Sequence, residues 1–259
     1  MIWRLIQASS KGTSHIENGE GCQDECLART SCAPDGEEYF LGLVSDGAGS
    51  ALHGDRGAAI ACDAGRAIIE QWIGETASLA GLTQEAVTSW VVAIRQRICQ
   101  AAEAKGLLPR DFACTLLGAI IGAKAAAFFQ VGDGAIVIGD GDGFHPVFWP
   151  DTGEYANMTY FVTDEEAVAH LRVDVSLSPP EEVAMLSDGL QRLALVYESR
   201  TAYKPFFEPM FGTLRKADLV TCDTLSNQLA LFLDSPKINE RTDDDKTLVL
   251  ATRKCCSEE

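Results

Sequence analysis

Three apolar runs of this chain end in the same dipeptide. LGLVS leads into Asp46-Gly47, FFQVG into Asp133-Gly134, and VAMLS into Asp188-Gly189. A strand end holds its side chain rigidly, and a following glycine lets the backbone turn sharply and expose its carbonyl. A further acidic cluster, Asp243-Asp244-Asp245, directly precedes the apolar run KTLVLAT, and Asp24 stands near the start after Cys22-Gln23. Carboxylates gathered at neighbouring strand ends repel one another unless a cation compensates. Hard divalent ions such as Mg²⁺ or Mn²⁺ take carboxylate, backbone carbonyl and water oxygens. Asp-Gly is also a favoured hairpin-turn dipeptide. The Asp133 copy, between two closely spaced apolar runs, fits that second reading best.

The order of elements comes from periodicity. Residues 2–9 and 39–45 read as strands. Two helices follow. The first, about 54–74, carries Ala61, Gly65, Ile68 and Trp72 on one face, small enough in part to lie close to whatever it covers. The second, about 84–105, spaces Val87, Val91, Ile94, Ile98 and Ala101 at steps of four and three, with Thr83 as N-cap and Gly106 as stop. Residues 112–121, 125–131, 134–139 and 143–149 read as an antiparallel meander with Gly-rich turns. A polar region, 150–175, precedes a strand at 182–187, one helix within 208–234 and a last strand at 246–252. Strand runs flanking helix pairs indicate an α+β fold, with helices packed on antiparallel sheet.

Composition bounds the partners. The chain has 259 residues, 46% of them hydrophobic, enough to bury a full core. It stays within the roughly 250–300 residues at which single cores stop growing, so one domain is expected. A formal charge of −17 makes nucleic acid and acidic membrane surfaces poor partners, because both require clustered Lys and Arg. The start, MIWRLIQASSK, is too short an apolar run for a signal peptide or a membrane span. Nine cysteines form no paired framework, and Cys22 and Cys26 lack a second pair at zinc-ligand spacing. Free thiols and a cytoplasmic location are expected. Cys255 and Cys256 lie in a short polar tail, 255–259, behind a single domain spanning 1–254.

With these residues placed, a family resemblance emerges. Ser45-Asp46-Gly47-Ala48-Gly49-Ser50 resembles the Asp-Gly-x-Gly segment of the metal-dependent protein phosphatases of type 2C (the PPM family). Gln23-Asp24, Cys114-Thr115 with Val131-Gly132-Asp133, Leu186-Ser187-Asp188-Gly189-Leu190 and Asp244-Asp245-Lys246-Thr247 resemble its other motifs, the last one its terminal Asp-Asn-x-Thr. They occur in the family's order from about residue 12 to 250. The likeness is nearest to compact bacterial members with Gly-x-x-His near the start.

The resemblance implies a four-layer α-β-β-α sandwich of two antiparallel sheets flanked by helices, with a two-metal centre at one end. It implies that Asp46 bridges two Mn²⁺ or Mg²⁺ ions and the Gly47 carbonyl binds one of them. Asp188 and Asp244 would hold the other ion, Asp24 would act through water, and Asp133 with Asp188 would match an optional third site. A water or hydroxide between the ions would attack phosphoserine or phosphothreonine in phosphoprotein substrates, and the enzyme is expected to act as a monomer. Two departures stand out. Ala48 replaces a His that assists the leaving group in many members, so a slower enzyme is expected. Gly19 occupies the place of a phosphate-binding Arg, and His15, in Gly12-x-x-His15, becomes the candidate phosphate donor. His53, His145, His170 and Arg56 take bland readings, as structural or exposed residues. Segments 150–175 and 195–215 are candidates for a flap beside the site. The alternatives are a weakly active or inactive regulatory module, which the missing His and Arg favour, and a small-metabolite phosphatase on the same scaffold.

Overall fold

Apolar side chains alternating at period two bury both faces of the central strands, and two sheets result. The computed structural model describes residues 2–140, 143–150 and 159–253. One sheet runs β1 (Arg4–Ser10), β12 (Lys246–Thr252), β9 (Glu182–Leu186), β6 (Ala135–Asp140), β7 (Gly143–Pro146). The other runs β2 (Asp24–Cys32), β3 (Glu38–Asp46), β4 (Leu116–Ile121), β5 (Ala126–Val131), β8 (Arg172–Ser176). Every pairing in them is antiparallel. A short ribbon joins β10 (Leu195–Val196) to β11 (Thr201–Ala202). The helices are α1 (Thr13–Asn18), α2 (Gly54–Thr76), α3 (Gln84–Glu103), α4 (Gln191–Ala194), α5 (Lys204–Leu214), α6 (Leu219–Leu233) and α7 (Pro236–Asn239).

The layers follow from which face each residue takes. On β12, Leu248 and Leu250 pack with Phe207, Phe211, Leu229 and Leu233 of α5 and α6. The alternate residues Val249 and Ala251 pack with Phe40, Val44, Leu117 and Phe128 of the facing sheet. On β3, Leu41 and Leu43 turn outward to α2 and α3, against Ile69, Val91 and Ile94. Helices, sheet, sheet and helices therefore stack as α-β-β-α. A strand covered on both faces reads as a continuous apolar run rather than an alternating one, which is the pattern of β4, β5 and β12.

Several local expectations hold. Thr83 caps α3, its side chain accepting from Ala86 N–H at 3.2 Å. Val87, Val91, Ile94 and Ile98 are buried along α3, together with Ala102 rather than Ala101. On α2, Ala61 and Gly65 are buried, but Ile69 and Ile73 complete that face. Ile68 and Trp72 turn toward α3, where Trp72 meets Trp90 edge-on at 5.1 Å.

Others are corrected. The helix expected within 208–234 is two, α5 and α6, because Asp218 caps a new start by accepting from Thr221 N–H at 2.7 Å. The edge strands β2 and β8 were not expected, since an edge strand exposes polar residues and blurs the alternation. The segment 112–121 becomes strand only from Leu116: Pro109–Phe112 is a 3-10 turn, and Cys114 bridges Gly47. The meander is broken at Gly132-Asp133-Gly134, because β5 and β6 lie in different sheets. Gly132 takes φ +110°, and Gln130 Nε2 donates to the Gly132 and Gly134 carbonyls at 2.9 Å each. The buried glutamine satisfies two carbonyls that a hairpin would have paired, and the chain crosses between the sheets.

The candidate flap is also revised. Residues 159–176 are strapped down rather than free: Arg95 Nε donates to Asp164 O at 2.9 Å, Val162 N–H donates to Cys114 O at 2.8 Å, and β8 pairs with β5. Residues 151–158 of that candidate, and the tail with Cys255 and Cys256, lie outside the described residues. Cys22, Cys26, Cys32, Cys62, Cys99, Cys114 and Cys222 are free thiols. No helix among the described residues is long and apolar enough to cross a membrane.

Candidate active site

Antiparallel pairing brings the motif carboxylates to one end of the sandwich. Asp24 opens β2 and Asp46 closes β3, and the two stand opposite each other in register. Asp188 follows β9, Asp244 precedes β12, and those strands pair next to that end, Leu248 with Leu186. The crossover at Asp133 passes between the sheets at the same end, so that Asp-Gly is not a hairpin turn.

Neighbouring hydroxyls fix these side chains. Thr115 Oγ1 accepts from Asp46 N–H at 3.0 Å, while Thr115 N–H donates to Asp46 O at 2.8 Å. Ser187 Oγ donates to Asp24 Oδ2 at 2.7 Å and accepts from Thr247 N–H at 3.0 Å, tying β2 to both β9 and β12. Thr159 Oγ1 donates to Asp133 Oδ2 at 2.6 Å. Gln191 Nε2 donates to the Asp133 carbonyl and receives the Tyr197 hydroxyl. Gly47 N–H donates to Gln23 O at 3.1 Å, holding the Asp46 turn against the Asp24 segment.

Electrostatics shows what the cluster lacks. Burial, then repulsion from Asp245 and Asp188, pushes the Asp24 carboxyl up to about 7 against the pull of the Ser187 and Thr247 hydrogen bonds. Asp188 rises to about 6 through burial and the charges of Asp133 and Asp244. Asp46 rises well above the usual carboxylate range through burial, Asp24 and Asp188, and its carboxyl meets that of Asp188 closely enough to share a proton. Asp133 and Asp244 are raised as well, burial first in both. None of the principal influences on Asp24, Asp46 or Asp188 is a cation.

Asp24 Oδ1 and Asp188 Oδ1 are buried with no hydrogen-bond partner, and orphaned buried carboxylate oxygens cost free energy unless something positive meets them. A divalent cation fits this donor set. Among the described residues no three His, Cys, Asp or Glu side chains close on one point as a finished cage. That arrangement suits ions held by one or two carboxylates that keep several waters.

The remaining sequence candidates are placed as follows. His15, on α1, has Nδ1 2.9 Å from Asp245 Oδ1 and Nε2 3.8 Å from Glu20 Oε2. Its charge reaches Asp244. His53 precedes α2 with its ring 5.2 Å from that of Phe112, His170 stacks on Tyr160, and His145 lies 3.5 Å from Asp140 on an exposed edge. Arg56 is exposed. Ala48 N–H donates to Ala113 O at 2.9 Å, and Gly19 ends α1.

The sequence reading missed the positional roles of Thr115, Ser187 and Asp245. Their only signal was adjacency to a motif Asp or Cys. Gly189 shows how tightly the site is built, since a Cβ there would stand 2.0 Å from the Asp245 carbonyl oxygen. Gly189→Ala is expected to cost about 1–3 kcal/mol by overpacking and to weaken Mn²⁺ binding as Asp188 is displaced from Asp244. Thermal melts with and without Mn²⁺ measure both effects.

A sandwich of this layering with a ring of carboxylates at one end defines a class. The sequence pattern of the family described as "Protein phosphatase 2C" matches residues 11–234, and the chain belongs to that family. Among individual proteins, it is 44% identical over 253 residues to Serine/threonine-protein phosphatase 3 of Escherichia coli (strain K12), covering 97% of this chain and 98% of the relative. In fold it resembles the Mycobacterium tuberculosis serine/threonine phosphatase PstP/Ppp, with a TM-score of 0.64 at 13% identity over 97% and 99% of the two chains. The PstP catalytic domain solved in complex with two manganese ions gives a TM-score of 0.63 at 16% identity over 96% and 97%. These two likenesses establish the fold. The chain is a protein phosphatase of the 2C type.

Proposed function

We propose that this phosphatase hydrolyses phosphoserine and phosphothreonine in phosphoprotein substrates, using two Mn²⁺ or Mg²⁺ ions held at the carboxylate end. The observation that carries the reading is the convergence of Asp24, Asp46, Asp188 and Asp244 with raised pKa values and with orphaned oxygens on Asp24 and Asp188. Two such ions, when bound, lower the pKa of a water between them and offset charge building on the phosphoryl oxygens. Asp46, at the centre of the mutual repulsion, takes the bridging position, and the Gly47 carbonyl serves one ion. Asp188 and Asp244 serve the other, and Asp133 with Asp188 offers a third position. Asp24, fixed through Ser187, orients water at the rim. His15 supplies a donor to the phosphate in place of the absent Arg. Cytoplasmic location and a monomeric state complete the reading, supported by the free thiols and the acidic surface.

The test is hydrolysis of p-nitrophenyl phosphate and of a phosphothreonine peptide with Mn²⁺ and after EDTA treatment. Turnover is expected with Mn²⁺ and a loss of at least about a hundredfold without it. Metal-independent turnover would sink the mechanism, and an absence of turnover in both conditions would favour the regulatory module. His15→Ala is expected to raise KM for p-nitrophenyl phosphate about tenfold at nearly constant kcat, the mark of lost binding shared by ground and transition states. An unchanged KM would remove His15 from the site.

A further inference from the structure

The two segments that approach the site from the N-terminal side, Gly12–His15 and Gln23-Asp24, are held by a single side chain outside the proposed ligand set. Asp245 is 2% exposed. Its Oδ1 accepts from Gly12 N–H at 2.6 Å and its Oδ2 from Gln23 N–H at 2.5 Å, partners 233 and 222 residues away in sequence. Oδ1 also faces His15 Nδ1 at 2.9 Å. That approach is out of line for a directed hydrogen bond, so it acts as a contact of charge with the protonated ring. Around it, Ser14 N–H and Oγ donate to Asp243 O at 3.0 and 2.7 Å, closing the start of α1 onto the same turn.

The chemistry of this position calls for a carboxylate. Two backbone N–H groups meet two different oxygens, and only Asp or Glu offers two acceptors with no donor. An Asn would set its own NH₂ against one of the two amides, leave that amide unpaired and remove the charge facing His15. Positions 15 and 245 are also two places where this chain departs from the family pattern quoted above, Arg to His and Asn to Asp, and the fold puts them in contact.

We propose that Asp245 is a positioning residue acting through His15: its carboxylate clamps the Gly12–His15 turn to β12 and presents the charged imidazole to the phosphate of the substrate monoester. This rests on the phosphatase reading above. A group that orients and polarises a binding residue typically contributes a tenfold to hundredfold effect without touching substrate, and two residues working as one unit give non-additive variants.

The experiment compares full-length wild type, His15→Ala, Asp245→Asn and the double variant, all saturated with Mn²⁺. KM and kcat are measured with p-nitrophenyl phosphate, and inorganic phosphate binding is measured by calorimetry. Each single variant is expected to raise KM and the phosphate Kd about five- to twentyfold with kcat within about threefold. The double variant should be no worse than the weaker-binding single. Effects that multiply in the double variant, or a phosphate Kd unchanged in Asp245→Asn, overturn the proposal. A fall in kcat with a raised Mn²⁺ requirement also overturns it, since Asp245 would then act through Asp244 or Asp24. If Asp245→Asn loses its folded circular-dichroism spectrum, Asp245→Glu takes its place. Glu keeps both acceptors and the charge but displaces them, so it should raise KM only while His15 is present, and an unchanged KM counts against the clamp. Wild type lacking Mn²⁺-dependent turnover would overturn both readings, whereas active wild type with multiplicative variants overturns this one alone.

Discussion

Asp46→Asn is expected to lower kcat/KM with Mn²⁺ by about a thousandfold or more while raising the melting temperature of the metal-free protein. The first effect follows from the proposed bridging position, where one carboxylate serves both ions. A thousandfold corresponds to about 4 kcal/mol of transition-state stabilisation. The second follows from burial and from the charges of Asp24 and Asp188, which hold the Asp46 carboxyl well above its usual range.

The sign can be worked out. A carboxyl whose pKa is raised on folding contributes stability that is present below the unfolded value, about 3.9, and lost as pH rises through the folded value. Asp24, at about 7, and Asp188, at about 6, place that loss between about pH 4 and 7. Metal-free wild type should therefore melt lower at pH 7.5 than at pH 5. Asn at position 46 should recover part of the difference, and Mn²⁺ should stabilise wild type most at the higher pH. A variant that melts below metal-free wild type at pH 7.5 would mean that Asp46 is held by something other than repulsion and an absent cation.

Glu182→Ala should unfold the protein more readily than any change at the site, with turnover per folded molecule unchanged. Glu182 is 1% exposed at the start of β9. It accepts from Arg215 Nε and Nη2 at 2.8 and 2.7 Å and from Thr252 Oγ1 at 2.9 Å. Arg215 also donates to Glu208 Oε1 at 2.6 Å, so the pair locks α5 onto the sheet. Removing one partner of a buried ion pair strands the other and costs about 3–5 kcal/mol, roughly 10 °C in melting temperature for a chain of this size. Six residues of strand and turn separate Glu182 from Asp188, about 20 Å of extended chain, so the Mn²⁺ requirement should not move. Replacing both Glu182 and Arg215 with Met should recover much of the loss, because a packed apolar pair no longer strands a charge. A single variant within about 1 kcal/mol of wild type would show that the pair adds little beyond packing.

Much of this was legible before any coordinates. Strands buried on both faces announce themselves as unbroken apolar runs, and α3 and its Thr83 cap follow from a period of 3.6 and local hydrogen bonding. The placement of Asp46 and Asp188 was legible for the same reason: an acid directly after a buried strand must emerge at the end of a sheet. Edge strands such as β2 and β8, half polar and paired on one side, leave no comparable trace. The break between α5 and α6 depended on the Asp218 cap, which the apolar stripe 225–233 masks.

By itself the sequence determined the layering and the existence of an acidic strand-end cluster, because burial and turn chemistry are local properties of the residues. Tertiary structure alone decided that Asp133 lies at a crossover between sheets, that Ser187 locks Asp24, and that Asp245 clamps Gly12, His15 and Gln23. Each of those contacts joins residues tens to hundreds of positions apart, through a side-chain direction that no local periodicity carries. The same Asp-Gly dipeptide is a hairpin turn or a cation-facing corner depending on which strands the chain pairs beyond it.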